Sequence, residues 1–186
     1  LIRYMTERRE NRERWVGALQ HCPVPLTVIN GSADPISGAH MVARLRELQI
    51  PADSVVRTDE QFIPIAGEGA RAPLEQAPEL DFRRMQAIGP RELNHAFADL
   101  RCDTDGRART RLRDPQSGLT IAVWQPSGVM LAFTADTVTR DIRRSVALEP
   151  MESWSDAFNR PDCAEAIRLE PGAERRFTCG VEIESP

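Results

Sequence analysis

The chain has 186 residues, 41% of them hydrophobic, and a formal net charge of −4. That length and hydrophobic share suit one compact domain, or one domain with an appendage, and exclude a disordered chain. All 24 cationic residues are arginine, so a P-loop lysine, a Schiff-base lysine and a lysine general base are excluded, and the acidic balance argues against a nucleic-acid partner.

Residues 3–20 are charged, with Met5, Trp15, Val16 and Leu19 as sparse apolar positions, and read as an amphipathic helix. PVPLTVIN (23–30) is a nearly continuous apolar run, the mark of a strand buried on both faces as in a parallel sheet. GSADPISG (31–38) is dense in turn formers, and AHMVARLREL (39–48) follows as a helix with Met41, Leu45 and Leu48 on one side. The texture changes after Gln49. Residues 64–80 hold Pro64, Pro73, Pro78, Gly67 and Gly69, too many breakers for regular structure, and read as a long loop or linker. Short β-like runs then follow at 95–101, 108–113, 119–125, 129–134, 144–149, 164–169 and 174–182. Turn signals separate them, among them Asp105-Gly106, Asp114-Pro115, Pro126-Ser127-Gly128 and Pro171-Gly172. Strands at this spacing predict a mainly β fold, an antiparallel sandwich, with a short N-terminal α/β (helix-strand-helix) appendage.

The four cysteines, Cys22, Cys102, Cys163 and Cys179, are scattered, and the three histidines, His21, His40 and His95, have no ligand spacing. The expectation is no metal site and, with no secretory pattern, reduced thiols in the cytoplasm. No apolar run approaches a membrane span, so no membrane partner is expected. The chain opens on Leu1 rather than Met, which fits a fragment or a non-standard start.

Several segments carry a family pattern. They are PADSVVRTDEQFIPIAG (51–67), LDFR (80–83), IG (88–89), ELNHAFADL (92–100), LAFTAD (131–136), VALEPMESWSDAFN (146–159) and LEPGAERRF (169–177). In this order they resemble the C-terminal part of the aldose 1-epimerase (galactose mutarotase-like) family. The resemblance implies a galactose mutarotase-like β-sandwich, in part, over residues 51–186, and interconversion of the α and β anomers of an aldose without cofactor or metal.

Opening a sugar ring needs a base for the proton of the anomeric hydroxyl and an acid for the ring oxygen. The family's base matches Glu149 here, at a strand end, where burial would lift its pKa toward neutrality. The Asp-His-x-Phe pattern falls on Asn94, His95 and Phe97, so the resemblance implies sugar contacts from Asn94 and His95. Asparagine stands where the aspartate is expected, so that contact loses its charge but keeps its hydrogen bonds. Phe97, Trp124 and Phe158 are candidate apolar platforms for the sugar ring. The family's general-acid histidine belongs to an N-terminal half with no counterpart in this sequence, which implies an incomplete site.

Residues 7–48 resemble something else, the C-terminal region of an α/β-hydrolase of the haloalkane dehalogenase and epoxide hydrolase type. The Gly-Ser-Ala-Asp-Pro loop would make Asp34 the acid that orients a catalytic histidine. No Gly-x-Ser-x-Gly nucleophile elbow accompanies it, so Asp34 reads as a vestigial hydrolase acid. Two units are therefore expected, 1–50 and 51–186, joined near 49–53.

The plain alternatives are a surface carboxylate at Glu149, turn and strand residues at Asn94 and His95, and an N-cap or Asx turn at Asp34. The function classes carried forward are an aldose 1-epimerase-like protein acting on a small sugar, a non-catalytic carbohydrate-binding or structural remnant, and an α/β-hydrolase fragment. A partial sandwich exposes strand edges, so homo-oligomerisation, pairing of residues 23–30 with such an edge, or poor solubility is expected.

Overall fold

A computed structural model of the chain describes residues 47–140 and 142–184. The helix expected at 3–20, the strand at 23–30, the Asp34 loop, most of the helix at 39–48, and His21 and His40 lie outside the described residues.

Among the described residues ten strands form two sheets. The strands are β1 (Glu47–Gln49), β2 (Ala52–Val56), β3 (Arg71–Pro73), β4 (Gln86–Ala87), β5 (Asn94–Leu100), β6 (Ala108–Arg113), β7 (Thr120–Gln125), β8 (Val129–Phe133), β9 (Ala147–Met151) and β10 (Gly180–Glu184). Sheet 1 runs β10-β7-β6-β1-β4 and sheet 2 runs β3-β2-β5-β8-β9. Every neighbouring pair is antiparallel. The expected mainly β, antiparallel sandwich is what the described residues form.

One apolar cluster joins the inner faces. It takes Leu48, Leu112 and Ile121 from sheet 1, Val55, Phe97 and Ala132 from sheet 2, and Ile50 and Phe82 from connections. Phe82 and Phe97 are fully buried, and each contributes roughly 2–3 kcal/mol by leaving water. Sheet 2 is also covered on its other side, where Val56, Ala96, Ala98 and Val129 pack with Leu131, Met151 and Trp154. The small Ala96 and Ala98 flank Phe97 on β5, so this strand is dry on both faces at its centre.

The solvent face of sheet 1 is a charge lattice. Along β6, Ala108, Thr110 and Leu112 are buried while Arg109, Arg111 and Arg113 alternate outward. Arg109 Nε donates to Glu182 at 2.8 Å and Arg111 Nε to Glu184 at 3.0 Å, both on β10, two strands away. Ala122 on the intervening β7 sits opposite Arg111 and Glu182, and its lone methyl leaves the arginines room to cross. Arg113 pairs with Glu47 of β1 at 3.3 Å. Arg109 also binds Asp103 and Asp105, and its hydrogen bonds hold the Asp105 carboxyl down at about 2.

The structure corrects five local expectations. Glu47–Gln49 is strand, not the end of a helix, because Leu48 points to the core while its neighbours are half-exposed, a period of two. The expected loop at 64–80 contains β3 and three one-turn 3-10 helices, and Pro73 is tolerated because β3 is an edge strand. The strand expected at 164–169 is instead a single helical turn, α1 (Ala164–Ile167), built from the helix formers Ala164, Glu165 and Ala166. The strand expected at 174–182 begins only at Gly180. β9 is shifted to Ala147–Met151 and accepts Pro150, again on an edge.

The chain passes from sheet 1 to sheet 2 through Pro126-Ser127-Gly128. The fully buried Gln125 amide holds this corner, donating to the carbonyls of Ser127 at 2.6 Å and Val129 at 3.1 Å. Gly128 has φ +89°, and a Cβ there would lie 2.1 Å from the Met151 carbonyl oxygen. Gly106 also has positive φ but open space around it. Gly128→Ala is therefore expected to cost about 3 kcal/mol or more in urea unfolding, and Gly106→Ala about 1 kcal/mol. Equal costs would contradict the packed corner. Acid unfolding is a second check. The Asp105 contribution is complete above the ordinary carboxylate pKa and is lost as pH falls toward 2, so Arg109→Gln is expected to raise the acid midpoint.

Candidate functional site

Antiparallel register decides which expected site residues can meet. Asn94 is opposite Phe133 and Phe133 opposite Ala147. The next row on the same face is Ala96, Leu131 and Glu149. Directly paired residues project to one side of the sheet, and Ala96 and Leu131 belong to the outer apolar cluster. Asn94, Phe133 and Glu149 therefore lie on the outer face of sheet 2. Strand and residue spacings put Asn94 and Glu149 about 12 Å apart between Cα atoms.

Glu149 is exposed on the edge strand β9. The burial expected of a base is not provided by the described residues. Asn94 is half-buried, and its position is fixed from behind. The buried Thr134 hydroxyl accepts from the Leu93 amide at 2.8 Å and donates to Asp136. Arg143 pairs with Asp136 at 2.5 Å and donates to the carbonyls of Gly89 at 2.7 Å and Arg91 at 3.1 Å. The loop after β8 is thereby clamped to the approach to β5.

His95 and Phe97 project to the opposite side, which corrects the expectation that they join Asn94 on one sugar. Neighbours on a strand point to opposite faces. Phe97 is fully buried in the core and offers no platform to a ligand. His95 is half-buried, and its Nδ1 accepts from the Asn94 amide at 3.2 Å. Burial pushes its imidazole below the ordinary value, against the opposing pull of Glu79 and Glu92.

The other aromatic candidates also separate. Trp124 is on β7 of sheet 1, with the Arg107 guanidinium 4.1 Å from its ring and Gly180 beneath it. Phe158 is 93% exposed in the turn Ala157–Asn159 after β9. Phe133, half-buried between Asn94 and Ala147, is an aromatic side chain that shares the face of Glu149. Alternation along LAFT would have singled it out once Leu131 was matched to Glu149.

Two distant landmark segments do come together. Arg160, directly after Asp-Ala-Phe-Asn, donates to the carbonyls of Pro64 at 2.8 Å and Ile65 at 2.7 Å, in the Ile-Pro turn. Among the described residues no group of three or more His, Cys, Asp or Glu side chains is placed to hold a metal ion. No helix among them is long and apolar enough to cross a membrane. Asp34 lies outside the described residues, and nothing in them bears on a hydrolase.

No protein-family model and no curated protein matches the chain. A solved structure similar to it is that of a GalM/aldose epimerase homologue from C. elegans, with 18% identity, a TM-score of 0.47 and coverage of 57% of this chain. The likeness spans 36% of that protein's length.

The interior setting of His95 has a measurable consequence. Its imidazole binds a proton less readily folded than unfolded, so its contribution to stability is complete above about pH 6.5 and falls as the pH drops below it. His95→Gln is expected to flatten that part of the stability profile. An unchanged slope between pH 5 and 7 would contradict the burial.

Proposed function

We propose that the outer face of sheet 2 binds a small sugar, that the chain is aldose 1-epimerase-like, and that Glu149 is the base of its anomer exchange. One observation carries the reading. Asn94 and Glu149 come from two separate family-like segments, 55 positions apart in the sequence, yet the register sets them on one face with Phe133 beside them.

The face has the groups such a ligand needs. The Asn94 amide can donate to and accept from sugar hydroxyls. Phe133 and Leu131 offer an apolar bed for the C–H side of a pyranose. The Glu149 carboxylate is unencumbered, with no hydrogen bond or ion pair to another described residue. It would take the proton of the anomeric hydroxyl as the bond between the anomeric carbon and the ring oxygen breaks, and the ring oxygen would gain a proton. Rotation of the freed aldehyde and the reverse steps would return the other anomer, with the proton restored from Glu149.

His95 faces the interior, so within the described residues the proton for the ring oxygen would come from water. This observation favours a second reading, a carbohydrate-binding remnant with little or no turnover.

Polarimetry and proton NMR of freshly dissolved aldoses separate the two. For the enzyme, anomerisation is accelerated and Glu149→Gln lowers the added rate by roughly 100-fold or more. Acceleration that is equal in wild type and variant would remove Glu149 from the base role. No acceleration, with sugar-dependent shifts at Asn94, would leave the binding remnant.

A further inference from the structure

The face that carries Glu149 continues into a second polar cleft. Met151, two residues beyond Glu149 on β9, is opposite Val129. Val129 lines a cleft of about 390 Å³, together with Gly128, Arg71, Asp99, Glu152 and Trp154. The step along the strand from Glu149 to this row is about 7 Å. Val129 and Ala98 at its floor belong to the same outer apolar cluster as Leu131 beside Glu149.

The polar side of the cleft is built in advance. Arg71 on β3 lies on the Val56 side of β2 and donates to Asp99 Oδ1 at 2.9 Å. The buried Ser54 hydroxyl donates to the other carboxylate oxygen. Asp99 has φ +53°, which turns its side chain out of the alternation of β5 toward Ser54 and Arg71. Each carboxylate oxygen keeps a free lone pair, and the guanidinium keeps donors not used on Asp99. Beside the pair stands the half-buried indole of Trp154, with the Arg71 guanidinium 5.5 Å and that of Arg160 5.0 Å from its ring centre.

We propose that this cleft is a second sugar subsite, so that the ligand of the face is a reducing disaccharide or longer glycan whose reducing end reaches Glu149. The inference rests on the sugar-binding reading above and extends it to the ligand class. A fixed Arg-Asp pair beside an aromatic wall matches the chemistry of a pyranose, with vicinal hydroxyls on its rim and C–H groups on its faces. A volume of about 390 Å³ leaves room for one such ring. The surrounding charges are balanced, since Arg71 pairs with Asp99 and Glu152 with Arg175 at 2.7 Å. A neutral ligand that exchanges hydrogen bonds suits that balance better than an anion or a cation.

Titration of the full chain with glucose, maltose and cellobiose, followed by tryptophan fluorescence and amide NMR shifts, tests the subsite. At least one disaccharide is expected to bind about tenfold more tightly than glucose or better. It should shift amides near Asp99 and Trp154 that glucose leaves unmoved. In Asp99→Asn, where asparagine tolerates the left-handed backbone, the ratio of disaccharide to glucose affinity should fall toward one. Arg71→Gln is a second variant with the same expected loss of ratio. Equal affinity of wild type for all three sugars, with shifts confined to Asn94, Phe133 and Glu149, would overturn the subsite and leave the monosaccharide reading standing. A response at neither end of the face would overturn both. Disaccharide shifts at Asp99 with none at Asn94 or Phe133 would refute the joint groove.

Discussion

The register of β5, β8 and β9 is the constraint on which the site depends. A strand alternates its side chains with a period of two, so a slip of one residue would exchange the faces of the whole strand. Here Phe97, Met130 and Ala132 go inward, and the positions between them go outward. Phe97 can be inside only if Ala96 and Ala98 are outside, and Asn94 follows them by parity. Glu149 reaches that face because Leu148 takes the inner position on β9, packed against the core. The burial of Phe97 and the exposure of Glu149 are thus two results of one pleat.

Charge is organised separately on the two outer surfaces. On sheet 1 the arginines of β6 are spent on Glu182, Glu184 and Glu47, and the small Ala122 leaves room for the contacts that cross β7 to Glu182 and Glu184. Individually such exposed pairs contribute little, but the lattice ties β10, β7, β6 and β1 across their solvent face. Arginine suits this use better than lysine, because its planar fork reaches several carboxylates at once, as Arg109 does with Asp103, Asp105 and Glu182. Sheet 2 has a different texture, with alanines, Val129, Leu131 and Phe133 between a few polar groups. One surface is closed by its own ion pairs, and the other keeps Glu149 and Asn94 available.

Much of the fold was legible because it is local. The run 108–113 coincides with β6, since ARTRLR alternates cleanly and Asp105-Gly106 and Asp114-Pro115 bracket it. The starts of β5, β7 and β8 fall within a residue of their expected positions for the same reason. What failed was decided by long-range packing. Residues 164–169 have no alternation that would enforce a strand, and they close into one helical turn. Leu48 looked helical in company with Met41 and Leu45, but the sheet it enters is completed by β6 and β4, whose residues opposite Leu48 come 64 and 38 positions later. The candidate site was legible in part. Glu149 and Asn94 were named from family-like segments, whereas the separation of His95 and Phe97 from them required the pleat. Phe133 was missed because its relevance depends on two partner strands.

The central claim is that the sugar lies on the outer face of sheet 2. Amide and side-chain shift mapping during an aldose titration tests it most directly, because the strands report face by face. The account predicts that the largest side-chain changes fall at Asn94, Leu131, Phe133 and Glu149, with His95, Phe97, Met130 and Ala132 nearly silent. Changes centred on His95, or on Trp124 of sheet 1, with Phe133 and Glu149 unmoved, would contradict it.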